Sequence, residues 1–115
     1  MKKLKTYLAS TSCLTLSLCA AADVGEQTYR SSCFACHDTG AGNTPRLNDP
    51  KAWTTRLQLG SERLTRHAIE GINSMPPKGG NTALSDQEVA AAVDFMIARL
   101  SAETSTGEQL PAASS

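Results

Sequence analysis

The fold is decided by the stretch Cys33-Phe34-Ala35-Cys36-His37. On a helix, residues three positions apart lie about one turn apart, so Cys33 and Cys36 can present both thiols to one ligand. His37 follows directly and brings an imidazole to the same region. This spacing is typical of c-type haem attachment, in which two thiols bond one porphyrin and the histidine binds its iron. The sequence therefore predicts one covalently attached haem c.

Other uses of the two cysteines remain open at this point. A zinc site needs about four ligands, and His67 is poorly placed to complete one with Cys33, Cys36 and His37. A redox dithiol would want a βαβ setting, which the sequence lacks. A plain disulfide is the simplest alternative in an exported protein. The low aromatic content of 4% favours haem, because so thin a core needs something to fill it.

The N-terminal segment has the composition of a secretory signal. Three lysines precede an apolar run from Leu8 to Leu18, and Ala20-Ala21-Ala22 offers a cleavage site before Asp23. The run is too short for a membrane span. Leu18 before Cys19 does not fit a lipobox, so no lipid anchor is expected. We predict a signal peptide over residues 1–22, export to the periplasm, and loss of the other two cysteines, Cys13 and Cys19.

Apolar periodicity predicts an all-α domain over residues 23–100. We expect helices over 23–38, 51–59 and 61–70, the third capped by Ser61. A capping box at Ser85-Asp86-Gln87-Glu88 starts a last helix, whose apolar face is Val89, Ala92, Val93, Met96, Ile97 and Leu100. Residues 101–115 show no periodicity and are predicted to form a mobile tail.

A second iron ligand is expected from Met75. Pro76 and Pro77 follow it and stiffen the loop, which suits a weak thioether ligand. Two rivals lie on helices. We assign Met96 to the core and His67 to the surface, with a bis-histidine haem through His67 as the alternative.

Together, the Cys33–His37 motif and Met75-Pro76-Pro77-Lys78-Gly79 resemble class I cytochromes c, and among them the small bacterial cytochrome c5 family. The likeness runs from Gly25 to Leu100. It implies a fold of four to five helices around the haem, with Gly25 at a close helix crossing and Phe95 on the last helix. It also implies that the Pro45 carbonyl accepts the Nδ1 proton of His37, and that Trp53 packs near the haem propionates. Many relatives carry a cysteine pair where this chain has Asn81 and Leu84.

Ligation by His37 and Met75 would fill both axial positions and leave no site for a small-molecule substrate. We therefore expect a monomeric one-electron carrier of a respiratory chain, not an enzyme. It would dock transiently with redox proteins through a rim formed by residues 75–80 and 34–35, with Lys78 at its centre. It would pass electrons from a membrane or periplasmic donor to a terminal oxidase or reductase. Lys and Arg balance Asp and Glu at 11 each, and without a basic stripe nucleic-acid binding is not expected. The alternatives are a haem c subunit of a periplasmic oxidoreductase complex and a haem sensor with a labile Met75.

Overall fold

The computed structural model describes residues 16–108, and the side chains of residues 20–105. Most of the predicted signal peptide therefore lies outside the described residues, and the predicted cleavage after Ala22 stays a prediction. Residues 16–108 form five α-helices: α1 (Leu16–Thr28), α2 (Phe34–His37), α3 (Pro50–Leu57), α4 (Ser61–Glu70) and α5 (Asp86–Glu108). A π-helical turn, Tyr29–Cys33, joins α1 to α2, and short 3₁₀ turns lie at Ala41–Asn43 and Pro77–Gly80.

The first helical segment differs from the prediction at its start and in its middle. It already includes Leu16, the first described residue, rather than starting at Asp23, because the small and apolar residues before Asp23 continue the helix. At Tyr29–Cys33 the backbone widens, and the Phe34 N–H donates to the Tyr29 carbonyl, five residues back. The extra residue in this turn lets Thr28 and Cys33 face the same cavity, while Tyr29 packs on Phe95 with ring centroids 5.4 Å apart.

Helix α1 crosses α5 at Gly25, which is buried. A Cβ atom added to Gly25 would lie 2.9 Å from the Ala91 carbonyl carbon and closer still to its oxygen. Only glycine therefore permits this approach, and the close crossing expected at Gly25 is present.

The middle helices match their predicted positions, with shifts at their ends. Helix α3 begins at Pro50 and ends at Leu57, and α4 spans Ser61–Glu70 as expected. Ser61 does not cap α4, however. Gly60 occupies the capping position, and no side chain donates or accepts a capping bond there.

Helix α5 begins as the sequence predicts and ends later. The capping box is formed: the Ser85 N–H donates to Glu88 Oε2 at 2.8 Å, and the Glu88 N–H donates to Ser85 Oγ at 3.2 Å. The helix continues past Leu100 to Glu108, whereas we predicted an aperiodic tail from Ser101. Hydroxyls of Ser101 and Thr104 donate to carbonyls of the preceding turn, so these polar residues are accommodated within the helix. Residues 109–115 lie outside the described residues.

In the part of the chain whose side chains are described, two clusters of buried residues form the core, and α5 contributes to both. The first contains Tyr29, Leu47, Trp53, Met96 and Leu100, and the second contains Ala68, Val89 and Val93. Within residues 16–108 there is no β-strand, only an isolated bridge between Ile72 and Met75. The all-α fold class is thus confirmed. No helix in the described part of the chain is long and apolar enough to cross a bilayer.

Replacing Gly25 tests the helix crossing. We expect Gly25→Ala to lower the free energy of unfolding by about 1–3 kcal/mol, because α1 must move away from the Ala91 carbonyl. Urea unfolding of the haem-loaded protein measures this change. Gln27→Ala, at an exposed position of the same helix, is the control and should change stability by less than about 0.5 kcal/mol. Equal stability of Gly25→Ala and wild type would contradict the crossing.

Candidate haem site

A cavity of about 230 Å³ lies between the two core clusters and the loops. Helices α1, α3, α4 and α5 each contribute at least one residue to the lining, in addition to Cys33 and His37 of the attachment motif. The lining is mainly apolar. From the predicted site, the structure brings Cys33, His37, Pro45, Trp53 and Met75 to this cavity. Cys36 is exposed and is not among the lining residues, which places it at the rim rather than inside.

The attachment motif is positioned by the wide turn and by α2. Cys33 is half-buried, and its thiol lies 3.9 Å from the Thr28 carbonyl. Burial raises the pKa of the Cys33 thiol. Cys33 and Cys36 are not joined in a disulfide. One thiol at the cavity wall and one at its rim, a single turn apart, can bond one edge of a flat ligand.

The imidazole of His37 is held in a defined orientation. Its Nδ1 lies 2.9 Å from the Pro45 carbonyl oxygen, which is the contact that the family resemblance implied. Since a carbonyl can only accept, Nδ1 carries the proton and the lone pair is on Nε2. Burial lowers the pKa of His37 against the opposing effect of this hydrogen bond, and nearby Arg56 lowers it further. A neutral imidazole with a free Nε2 is the form that binds iron.

The loop that carries Pro45 is fixed from two more directions. The Leu47 N–H donates to the His37 carbonyl at 2.7 Å, and the Trp53 indole N–H donates to the Arg46 carbonyl at 2.9 Å. Trp53 is buried, and its ring centroid lies 5.6 Å from that of His37. Trp53 therefore supports the histidine both by contact and through the loop. The structure gives it this role; the propionate contact stays a prediction.

Met75 lies in a loop that is closed on itself. Met75 and Ile72 exchange two backbone hydrogen bonds, of 2.8 and 3.1 Å, around a turn in which Asn73 has a positive φ. A Cβ on Gly71 would lie 2.9 Å from the Met75 carbonyl oxygen, so the chain before the turn packs tightly against Met75. Its side chain is half-buried against the second core cluster and lines the cavity.

Two side chains lie elsewhere than we predicted. His67, assigned to the surface, lines the cavity together with Leu64 and Ala68 of α4. These three residues share one helical face, so the spacing from Leu64 could have revealed that His67 faces the cavity.

Lys78 is mostly buried rather than exposed at the centre of a docking rim: its ammonium contacts the Leu84 carbonyl and the Asp86 carboxylate. Arg56 also lines the cavity, although it was not among the predicted site residues.

These residues fit a haem c. The cavity offers an imidazole whose Nδ1 is already engaged, a thioether, the Cys33 thiol and a mainly apolar lining, and the exposed Cys36 thiol lies one turn from Cys33. Imidazole and thioether are the axial pair of cytochromes c, and an apolar lining suits a porphyrin. The fold and the donor set together define a class I c-type cytochrome.

Comparison with known proteins agrees with this class. Residues 20–96 match the protein family described as "Cytochrome C oxidase, cbb3-type, subunit III", a family of c-type cytochromes, and the chain belongs to it. Within the class it is close to cytochrome c5, and its cofactor is one covalently bound haem c.

Individual relatives are similar over most of their length. The chain is 39% identical over 80 residues to cytochrome c-555 of Chlorobaculum tepidum, an alignment covering 66% of this chain and 74% of the relative. It is 39% identical over 74 residues to cytochrome c5 of Azotobacter vinelandii, covering 63% and 89%. A crystal structure described as an electron transfer complex of nitrite reductase with cytochrome c contains a chain 39% identical, with a TM-score of 0.63. That match covers 67% of this chain and 94% of the other.

Trp53→Phe tests whether Trp53 supports the loop that carries Pro45. The change removes the indole N–H that reaches the Arg46 carbonyl and leaves a small space beside His37. We expect a loss of about 1–2 kcal/mol in the free energy of unfolding. Urea unfolding of the haem-loaded protein checks it. Thr54→Val removes an exposed side-chain bond to the Pro50 carbonyl and should change stability by less than about 0.5 kcal/mol. If both variants unfold like the wild type, Trp53 does not support the loop.

Cys33→Ala combined with Cys36→Ala tests covalent attachment. The double variant should lose covalent haem and remain largely unfolded, since burial of a porphyrin contributes on the order of 10 kcal/mol. Denaturing gel electrophoresis with haem staining and far-ultraviolet circular dichroism measure the two effects. A protease-resistant apoprotein with native helicity would contradict the second expectation.

Proposed function

We propose that this cytochrome is a one-electron carrier of the periplasm, with His37 and Met75 as the axial ligands. It would shuttle electrons in a respiratory chain, from a membrane or periplasmic donor to a terminal oxidase or reductase. When bound, the haem iron supplies the ferric–ferrous couple. The observation that carries the proposal is that one cavity receives both an imidazole and a thioether from the chain itself. Periplasmic location rests on the predicted signal peptide.

The residues around the cavity suit electron transfer rather than catalysis. His37 is oriented by the Pro45 carbonyl, and Met75 is set in a turn closed by its hydrogen bonds to Ile72. Two ligands on fixed segments change position little when the iron changes charge, which keeps reorganisation small. A thioether and an apolar lining both favour the ferrous state and so raise the potential. If His37 and Met75 both bind the iron, no position would remain there for a substrate, which supports a non-enzymatic role.

Exposed apolar side chains in the cavity lining and in the attachment motif support transient docking. Leu59 and Ile72 line the cavity and are 41% and 39% exposed, and Phe34 of the attachment motif is 42% exposed. Because Lys78 is engaged internally, we propose that these apolar side chains, rather than Lys78, form the docking rim. The related chain that forms an electron transfer complex with nitrite reductase supports a reductase as one such partner.

A haem c subunit of an oxidase complex is the second candidate. It is favoured by the description of the matching family, which names an oxidase subunit. Against it, the alignments cover 74–93% of several small cytochromes named c-555 and c5. Purification from native membranes and periplasm separates the two: a carrier is recovered alone and monomeric from the periplasmic fraction, whereas a subunit co-purifies with an oxidase.

Met75→His tests the axial thioether. Replacement of sulfur by imidazole should keep the haem low-spin and lower the midpoint potential by at least about 100 mV, because the axial ligand is a principal determinant of haem potential. Each ~59 mV is a tenfold change in the equilibrium with a fixed acceptor. Spectropotentiometric titration measures the shift.

His67→Ala provides the matched comparison, because His67 lines the same cavity and is the rival ligand. We expect it to keep the low-spin state and most of the wild-type potential. Loss of the low-spin state in His67→Ala, with no effect of Met75→His, would show a bis-histidine haem and overturn the proposed ligation.

A further inference from the structure

Lys78 has a backbone conformation that is unfavourable for a residue with a Cβ atom. Its φ is +55°, in the left-handed region that glycine and asparagine adopt most readily. The two other non-glycine residues with positive φ in the described part of the chain are both asparagines. Contacts of its side chain can offset the cost of this conformation, in addition to the backbone hydrogen bonds that close the turn.

The side chain of Lys78 makes two directed contacts with the chain that leads into α5. Its Nζ donates to the Leu84 carbonyl at 2.7 Å and lies 3.0 Å from Asp86 Oδ1. The side chain is only 21% exposed, whereas that of Asp86 is 63% exposed. A partly buried hydrogen bond from an ammonium group is stronger than an exposed ion pair, so the Leu84 carbonyl is the more important partner.

The same turn is held on its other side by the attachment segment. Asn81 Nδ2 donates to Ser32 Oγ at 3.1 Å. A Cβ added to Gly79 would lie 2.9 Å from the Ser32 carbonyl oxygen, so the turn packs directly on the residue before Cys33. The segment that follows Met75 is thus held between the haem-attachment motif and the start of α5, and Lys78 supplies the contacts to α5.

We propose that Lys78 is a positioning residue for the sixth ligand: its ammonium fixes the Pro77–Gly80 turn to the Leu84 carbonyl and thereby keeps the Met75 sulfur in the cavity. The proposal rests on Met75 as the axial ligand.

The consequence concerns ligand exchange at the iron. A thioether is a weak ligand. Met75 would therefore stay bound to the iron only while opening of its loop is unfavourable. Release of the turn from α5 raises the population of the open loop, and an external base such as imidazole then competes more effectively. The effect is selective for the Met75 side, since His37 is held by Pro45 and Trp53 instead.

The experiment measures imidazole binding to the ferric holoprotein by visible absorption. In Lys78→Leu, which keeps an apolar stem but no donor, the apparent dissociation constant for imidazole should fall about tenfold, as expected for loss of one charged hydrogen bond. Lys78→Gln, a milder change, should lower it about threefold. Asp86→Asn should lower it by less than about threefold, because the ion pair is exposed.

Two controls separate positioning from general destabilisation. Lys51→Leu removes an exposed lysine of α3, and Gly25→Ala weakens the fold at the crossing of α1 and α5; both should leave the dissociation constant within about twofold. Amide hydrogen exchange of the reduced protein gives a second readout. In the Lys78 variants, exchange at Gly79 and Asn81 should become about tenfold faster than in either control.

The outcomes distinguish this proposal from the one on which it rests. Unchanged imidazole binding and amide exchange in both Lys78 variants, in a protein with sulfur ligation, would overturn the positioning role and leave Met75 as the ligand. A wild-type protein without sulfur ligation would overturn both proposals. Equal effects in Gly25→Ala and Lys78→Leu would assign the change to stability alone and would also overturn the positioning role.

Discussion

The hydrogen bond between His37 Nδ1 and the Pro45 carbonyl is the interaction on which the site depends. At 2.9 Å it fixes the tautomer and the rotation of the imidazole, and it leaves Nε2 free. The neighbouring backbone reinforces it, since Leu47 returns a bond to the His37 carbonyl and Trp53 holds the Arg46 carbonyl. Three consecutive loop residues are thus bonded to the histidine or to the residue that packs on it, so the proximal ligand is oriented by the fold.

The part of the cavity lined by Met75 is built differently. Met75 lies in a short turn rather than on a helix, and polar contacts of Lys78 and Asn81 hold the turn that follows it. The two ligand residues are therefore held with different firmness. His37 belongs to a segment that would also be bonded to haem through Cys33 and Cys36, whereas the position of the Met75 sulfur depends on a loop. This asymmetry makes the Met75 side the place where ligation is most sensitive to mutation.

Local chemistry decided how much could be predicted from the sequence. The attachment motif and the capping box of α5 each depend on residues near one another in the chain, and both were predicted from them. The close approach at Gly25 was implied by the family resemblance. The wide turn at Tyr29–Cys33 was not, because a strict helical period places Tyr29 and Cys33 on one face. Only tertiary packing, with Tyr29 on Phe95 and Cys33 at the cavity, requires the extra residue.

Three other features of the structure differ from what the sequence predicted. The sequence shows that Lys78 is charged but not that the Leu84 carbonyl is within reach, so an exposed position was the natural expectation. The extension of α5 past Leu100 depends on Ser101 and Thr104 donating to helix carbonyls, which their ordinary propensities do not predict. His67 was placed at the surface because it adjoins Arg66, although Leu64 and Ala68 on either side of it face the cavity.

One visible and near-infrared absorption spectrum of the purified protein, recorded ferric and then reduced under carbon monoxide, tests the central claim that the chain supplies both axial ligands. We expect a low-spin ferric haem with a sulfur-to-iron charge-transfer band, and no rapid spectral change of the reduced protein with carbon monoxide. A high-spin spectrum, or a low-spin spectrum without the sulfur band, would contradict ligation by His37 and Met75.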